Sequence, residues 1–377
     1  MNKKGKHIVI VNQDSGYLMI DIANAYVEKG YNVSLITGRL VERNNPLNKK
    51  INISKILEYK RASTFLRLYT WSIATIQILF LIWFKYRKKP LLIVSNPPTT
   101  IILPLACKNP FTLLIYDIYP DALVEYRILK KNSFIIKKWK KVNASVFKKA
   151  KNIFTLNDEM KNVLSNYTAK ENIGVIPIWT DNSFLKPIQK NENPFLIEHD
   201  LVDKFVIMYS GNLGRTHNLE VLLKVAEQLP DDPYFFLIIG GGDKFESIKK
   251  EIHTRKLKNM RLMSWQPTEV LPYTLAAADI GVVSLGNEAS NLSIPSKTYN
   301  LMSVGVPIMS IADSNSALAK LIENKNLGMN FEHDQMLEMR NFIELVYNNK
   351  GKQQYYKENS LATSTNYGPE NAHKFIV

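Results

Sequence analysis

Short apolar runs recur along the chain, separated by stretches in which apolar positions return every three or four residues. In the first half the runs are His7–Asn12, Asn32–Thr37, Leu91–Ser95, Thr112–Tyr116, Asn152–Leu156 and Ile173–Ile178. In the second they are Phe205–Ser210, Tyr234–Gly240, Met260–Ser264, Ile280–Leu285 and Val306–Ile311. Most are rich in Ile, Val and Leu without polar alternation, the pattern of parallel strands covered on both faces. Between them, helical periodicity predicts helices over Leu18–Lys29, Ser133–Lys149, Leu219–Leu229, Phe245–Arg255, Leu271–Ala277 and Lys297–Val304. Asp243 and Glu246 are spaced as a capping pair. Strands alternating with helices are βαβ units. Trp179–Asp203, with Asp, Asn, Ser and two prolines, reads as a linker between the two series. The expected class is α/β: two tandem Rossmann-like, doubly wound parallel-sheet domains facing each other across a cleft, over residues 1–180 and 181–367.

Charge divides the same way. Of 49 Lys and Arg and 34 Asp and Glu, residues 1–180 hold 29 and 11, a net of +18. The rest of the chain is slightly acidic. Such asymmetry points the first half at something anionic, a nucleic acid or a lipid surface. Two segments bear on the choice. Tyr69–Phe84 is apolar over about 16 residues, short of the ~20 of a spanning helix, and reads as a buried core helix. It is preceded by nothing resembling a signal peptide. In Ser133–Lys149 the residues Ile135, Ile136, Trp139, Val142, Val146 and Phe147 share a stripe flanked by six lysines. A basic amphipathic helix of this kind suits an anionic bilayer. The expectation is a cytoplasmic protein at the inner face of the cell membrane, without a nucleic-acid partner, since no aromatic–basic binding module is present. A single cysteine, Cys107, excludes an internal disulfide and a Cys-rich zinc site.

The candidate chemistry gathers after the strands of the second half, where ligands bind in such sheets. Phe205–Ser210 is followed by Gly211, Asn212, Leu213, Gly214, Arg215, Thr216 and His217, then a helix. Free N–H groups at a helix start favour a diphosphate, and Arg215 adds a fork of donors suited to phosphate oxygens. The next strand ends in Gly240, Gly241 and Gly242, where backbone can approach a ligand. Trp265 and Gln266 follow the third and are candidates for stacking and edge contacts with a nucleobase. Pro295 and Ser296 stand at another helix start, with Ser296 a candidate N-cap and Lys297 a point charge beside it. Together these describe a nucleotide-diphosphate site.

These residues resemble family 4 glycosyltransferases of the two-Rossmann GT-B type, in the branch that assembles bacterial surface polysaccharides on lipid-linked saccharides. The resemblance lies in Tyr209–Ala226, Ile238–Lys244, Ala276–Leu285, Pro295–Pro307 and, in the first half, Ile115–Leu123. It implies a nucleotide-sugar donor whose diphosphate meets Arg215 and Lys297, a turn shaped by Gly211 and Gly214, and a base near Trp265 and Gln266. It places Leu292 and Asn300 where many members carry two glutamates eight apart, leaving Asn300 to serve the ribose. It also implies that residues 368–377 form a helix crossing back to the first domain. Asp117, after the strand Thr112–Tyr116, is a candidate general base for an inverting reaction. Asp121 and Asn96 are acceptor-side candidates, and the loop from Gln13 to Gly16 is a candidate for closing over the phosphates. Cations in this number can replace a metal, so no cofactor is expected.

Two other readings compete. A sugar-nucleotide 2-epimerase binds the same donors but needs no basic face, and incubation with donor alone separates it from a transferase. A dehydrogenase is poorly supported, because the first strand leads into NQDSGY instead of a glycine fingerprint.

Overall fold

The computed structural model describes residues 6–42, 45–60, 62–125, 129–214, 217–286 and 292–376. The chain divides into two units, Met1–Ile178 with Pro369–Val377, and Trp179–Gly368.

The first unit is built on strands β1 (His7–Val11), β2 (Asn32–Thr37), β3 (Asn52–Lys55), β4 (Leu91–Val94), β5 (Phe111–Leu114), β6 (Ile153–Thr155) and β7 (Ile173–Val175). They form one parallel sheet in the order β3-β2-β1-β4-β5-β6-β7. The order reverses beside β1, as in doubly wound sheets. Val9, Ile10, Leu92, Ile93 and Leu113 are fully buried, which is why these strands carry no polar alternation. β3 is the strand the apolar pattern does not announce. It lies at the sheet edge with only Ser54 buried, so it has no apolar run to show. The helices are α1 (Tyr17–Glu28), α2 (Thr64–Phe84), α3 (Asp121–Glu125), α4 (Phe134–Phe147) and α5 (Asp158–Leu164).

The structure corrects both apolar segments of this unit. α2 has 21 residues, because Ser63 caps it by accepting from the Leu66 N–H and adds a turn before Tyr69. It is not a core helix. Thr70, Ala74, Ile78 and Ile82 form one buried stripe, while Phe65, Leu68, Tyr69, Ile76, Phe80 and Phe84 lie exposed. Among the described residues it is the helix long and apolar enough, by length and composition, to cross a membrane. In α4 the buried stripe is Ile136, Asn143, Val146 and Phe147, and Ile135 faces solvent.

The second unit carries β8 (Phe205–Asn212), β9 (Tyr234–Gly241), β10 (Met260–Met263), β11 (Ile280–Ser284), β12 (Ile308–Ile311) and β13 (Gly328–Phe331). The sheet is again parallel, in the order β10-β9-β8-β11-β12-β13. Its helices are α6 (Pro194–Glu198), α7 (Glu220–Ala226), α8 (Phe245–Thr254), α9 (Leu271–Ala276), α10 (Ser296–Ser303), α11 (Ala317–Asn324), α12 (Met336–Asn348) and α13 (Lys350–Ser364). Trp179–Asp203 is built into this unit instead of linking two. Trp179, Leu185, Phe195 and Leu196 are buried, and the Asn193 amide donates to the Tyr273 carbonyl. Its polar residues are turn and cap residues, which read like a linker when their partners are unknown. Two expected caps are also absent. The N-cap of α8 is Lys244 and that of α10 is Pro295, neither with a side-chain cap bond, so Asp243 and Ser296 do not cap.

Pro369–Phe375 forms a short 3₁₀ helix on the first unit. Phe375 is 1% exposed, its ring meets Phe154 edge-on, and its carbonyl accepts from the Tyr26 hydroxyl.

Candidate functional site

The C-terminal ends of β8 and β11 are neighbours at the point where the second sheet reverses its order, the position where such sheets bind ligands. β8 runs on through Asn212 and is paired to the end of β9, with Gly211 opposite Gly240 and Asn212 opposite Gly241. Residues two apart on a strand share a face. Tyr209 and Gly211 therefore present one surface, and Lys297, in the first turn of α10, reaches it. Its Nζ stands 3.6 Å from the centroid of the Tyr209 ring. A side chain at Gly211 would place its Cβ 2.6 Å from that nitrogen, and the residue has φ +147°. Gly211 is thus favoured by its backbone, and a side chain there would displace the end of Lys297.

Lys297 is partly exposed as a residue, yet its ammonium nitrogen is buried and has no hydrogen-bond partner among the described residues. Burial drives its pKa down from 10.5 to about 7. The Tyr209 π-face is its one compensating contact shown. Ser284 Oγ and Thr298 Oγ1 are likewise buried without a partner. A buried ammonium without a hydrogen-bond partner is costly, so its retention at the sheet's switch point points to an anionic ligand.

His217 lies in the same turn. Its Nδ1 donates to the Ser284 carbonyl over 2.8 Å, which leaves Nε2 unprotonated in the neutral ring. Burial lowers its pKa, and the charges of Lys297 and Lys244 lower it further. Lys244 ties the turn down by donating to the His217 carbonyl and pairing with Glu220. This arrangement corrects one expectation. α7 begins only at Glu220, several residues after Gly214, and the Glu220 carboxylate in its first turn pairs with Lys244. Arg215 lies outside the described residues. The cationic role visible here falls to Lys297 at the start of α10.

Around this centre, Trp265 is 60% exposed, and its Nε1 would lie 2.7 Å from a Cβ on Gly241, so the ring lies against the end of β9 instead of in the core. Gln266 donates to the Ser264 carbonyl. Gly214 turns beside Asn212, and Pro295 and Ser296 open α10. Asn300 uses its side-chain carbonyl to accept from Thr180 Oγ1 at 2.7 Å. Tyr209, Ser284 and Thr180 were not among the expected residues. Only Tyr209 had a signal, a ring with a hydroxyl two positions before Gly211 in a mostly apolar run.

In the first unit, Asp117 follows β5 and its backbone N–H donates to Ser95 Oγ. It is exposed, but the apolar residues crowding its carboxyl raise its pKa by desolvation. Both oxygens of Asp121 are taken up inside the fold, one by Lys140 and one by Tyr167. The Asn96 carbonyl accepts from the Gln13 N–H. The loop ending at Gly16 is pinned by a two-bond Arg39–Asp14 pair, and nothing lies within 4 Å of a Cβ at Gly16. Among the described residues no group of three or more His, Cys, Asp or Glu could hold a metal ion.

Residues 194–362 match the family described as Glycosyl transferases group 1. The match lies wholly within the second unit. WbjE of Pseudomonas aeruginosa, a glycosyltransferase by its name, is 23% identical over 58% of this chain and 55% of its own. WcaI of Escherichia coli, named for glycosyl transfer in colanic acid biosynthesis, is 30% identical over 46% of this chain and 43% of its own. The chitobiosyldiphosphodolichol beta-mannosyltransferase of Candida albicans is 28% identical over 48% of this chain and 42% of its own. The chain thus spans about half the length of these curated relatives. The crystal structure of Anabaena HepE in complex with UDP is similar over 98% of both chains, with a TM-score of 0.73 at 12% identity. The fold is that of GT-B glycosyltransferases. Lys297, Gly211 and Tyr209 all fall within the matched residues.

Proposed function

We propose that this chain transfers a sugar from a nucleotide-diphosphate sugar to a lipid-linked saccharide in bacterial surface polysaccharide assembly. The observation that carries the reading is the buried, unpaired Lys297 ammonium against Gly211 and Tyr209 at the sheet's switch point. In this reading the nucleotide sugar binds the second unit with its diphosphate on Lys297 and on Arg215, and Trp265 takes the base. The acceptor oxygen forms a bond to C1 of the sugar. The bond from C1 to the diphosphate oxygen breaks, and its electron pair leaves with that oxygen. Lys297 stabilises the charge that grows there, where electrostatic catalysis is most effective. The acceptor's proton passes to a base, for which Asp117 is the assignment in the first unit. The reaction so written requires no cofactor.

The polysaccharide context is supported by the names of WbjE and WcaI, and the lipid-linked acceptor by that of the mannosyltransferase. A nucleotide donor is supported by the HepE complex with UDP. Contact with the inner face of the membrane is supported by the basic first half and the exposed apolar side of α2. The epimerase reading has no support from these relatives and is dropped. The test is transfer from a panel of nucleotide sugars to polyprenyl-diphosphate-linked saccharides, followed by mass spectrometry. A product heavier by one sugar, lost in Lys297→Ala, is expected. Absence of product and of nucleotide binding across the panel would defeat the reading.

A further inference from the structure

A second basic site lies in the first unit, at the opposite end of the strands from Asn96 and Asp117. A cavity of about 520 Å³ opens where β1, β4 and β5 begin. Lys6, Lys88, Lys89 and Lys151 line it, with His7 and Tyr31, and no Asp or Glu is among its lining residues. None of the four lysines forms an ion pair among the described residues. Lys6 Nζ is 5.6 Å from the centroid of the Tyr31 ring, a weak contact for a cation that has no carboxylate. Four like charges around one hollow repel one another, and a bound anion relieves that repulsion.

The backbone adds a second observation. Lys88 has φ +61°, a left-handed conformation at the turn after α2 that glycine or asparagine adopts more easily. A lysine kept there holds charge at the cavity mouth against the local conformational preference, and such outliers concentrate at functional positions. Desolvation lowers the His7 pKa, and the positive charge of Lys89 lowers it further, so the ring reports the local potential.

We propose that this cavity is a binding site for a phosphate ester, its anionic head held by Lys6, Lys88, Lys89 and Lys151 and its remainder against Tyr31. Lysine suits such a head as a set of mobile point charges. A soluble metabolite and a phospholipid headgroup both carry such a phosphate, and the two sources separate by experiment. The site is independent of the donor site, so its test does not depend on transfer activity.

The probes are sn-glycerol 3-phosphate, followed through the His7 ring signals by NMR, and sedimentation with phosphatidylglycerol or phosphatidylcholine vesicles. The variants are Lys88→Gln/Lys89→Gln/Lys151→Gln and, as a charge-matched control in the second unit, Lys249→Gln/Lys250→Gln/Lys258→Gln. All six lysines are exposed, so both variants should keep the parent's melting temperature. Glycerol phosphate shifting the His7 signals, with affinity reduced roughly tenfold or more in the cavity variant alone, identifies a soluble ligand. Binding only to phosphatidylglycerol vesicles, lost in the cavity variant and kept in the control, identifies a headgroup. No shift and no vesicle binding, or equal losses in the two variants, would overturn the proposal.

Discussion

Lys297 sets up a conflict between folding and ligand binding. Its ammonium is buried with no acceptor, so the folded chain holds the charge poorly until an anion arrives. Lys297→Met should keep or raise the melting temperature while lowering transfer roughly a hundredfold or more. Calorimetry and a transfer assay on the same preparation check both. The pH dependence has a defined sign. With the folded pKa near 7 and the ordinary value 10.5, the unfolded chain binds the extra proton between those limits. The group therefore weakens the fold fully below pH 7, and this loss fades as pH rises toward 10.5. The melting temperatures of parent and Lys297→Met should converge over that window. Because a diphosphate favours the charged amine, donor binding at pH 8 should take up a proton, measurable by titration calorimetry in buffers of different ionisation enthalpy. Gly211→Ala should also lower transfer, since its φ of +147° strains any side chain and the methyl would displace the Lys297 nitrogen. Lys297 and Gly211 were legible because charge and glycine stand out in loops at strand ends. The Asn300–Thr180 bond was not, because it joins residues 120 positions apart.

At the scale of elements, the core strands were legible and the surface helix was not. Residues 8–11 of β1, Leu91–Val94 of β4, residues 205–209 of β8 and residues 234–239 of β9 are apolar without interruption because both their faces are covered. α2 has the same composition for a different reason. One stripe packs inward, and the apolar residues on its other positions meet no cover within the unit. Composition alone does not separate a helix buried all round from one whose second face awaits a partner. The two faces should respond differently to substitution. Ile78→Ala should cost about 2–5 kcal/mol in denaturant unfolding, because Ile78 is fully buried. Phe65→Ser/Phe80→Ser/Phe84→Ser should barely change stability, since Phe65 and Phe84 are 76% and 79% exposed. The same variant should lose binding to anionic vesicles if the proposed membrane contact uses this face; unchanged sedimentation with vesicles would exclude α2 from it.

At the scale of the whole molecule, the chain leaves the first unit at Ile178 and returns to it at Pro369. Phe375 fills a slot beside Phe154 and Tyr26, so Phe375→Ala should destabilise the first unit by about 3–5 kcal/mol. Followed by hydrogen exchange, the loss of protection should fall on β1, β6 and α1 and spare β8 to β13. This return has a consequence for biosynthesis. Domains ordinarily fold in the order in which the ribosome delivers them. Here the amino-terminal lobe must wait for residues translated after the entire second lobe, so a nascent chain stalled before Pro369 carries a finished second lobe and an uncapped first one.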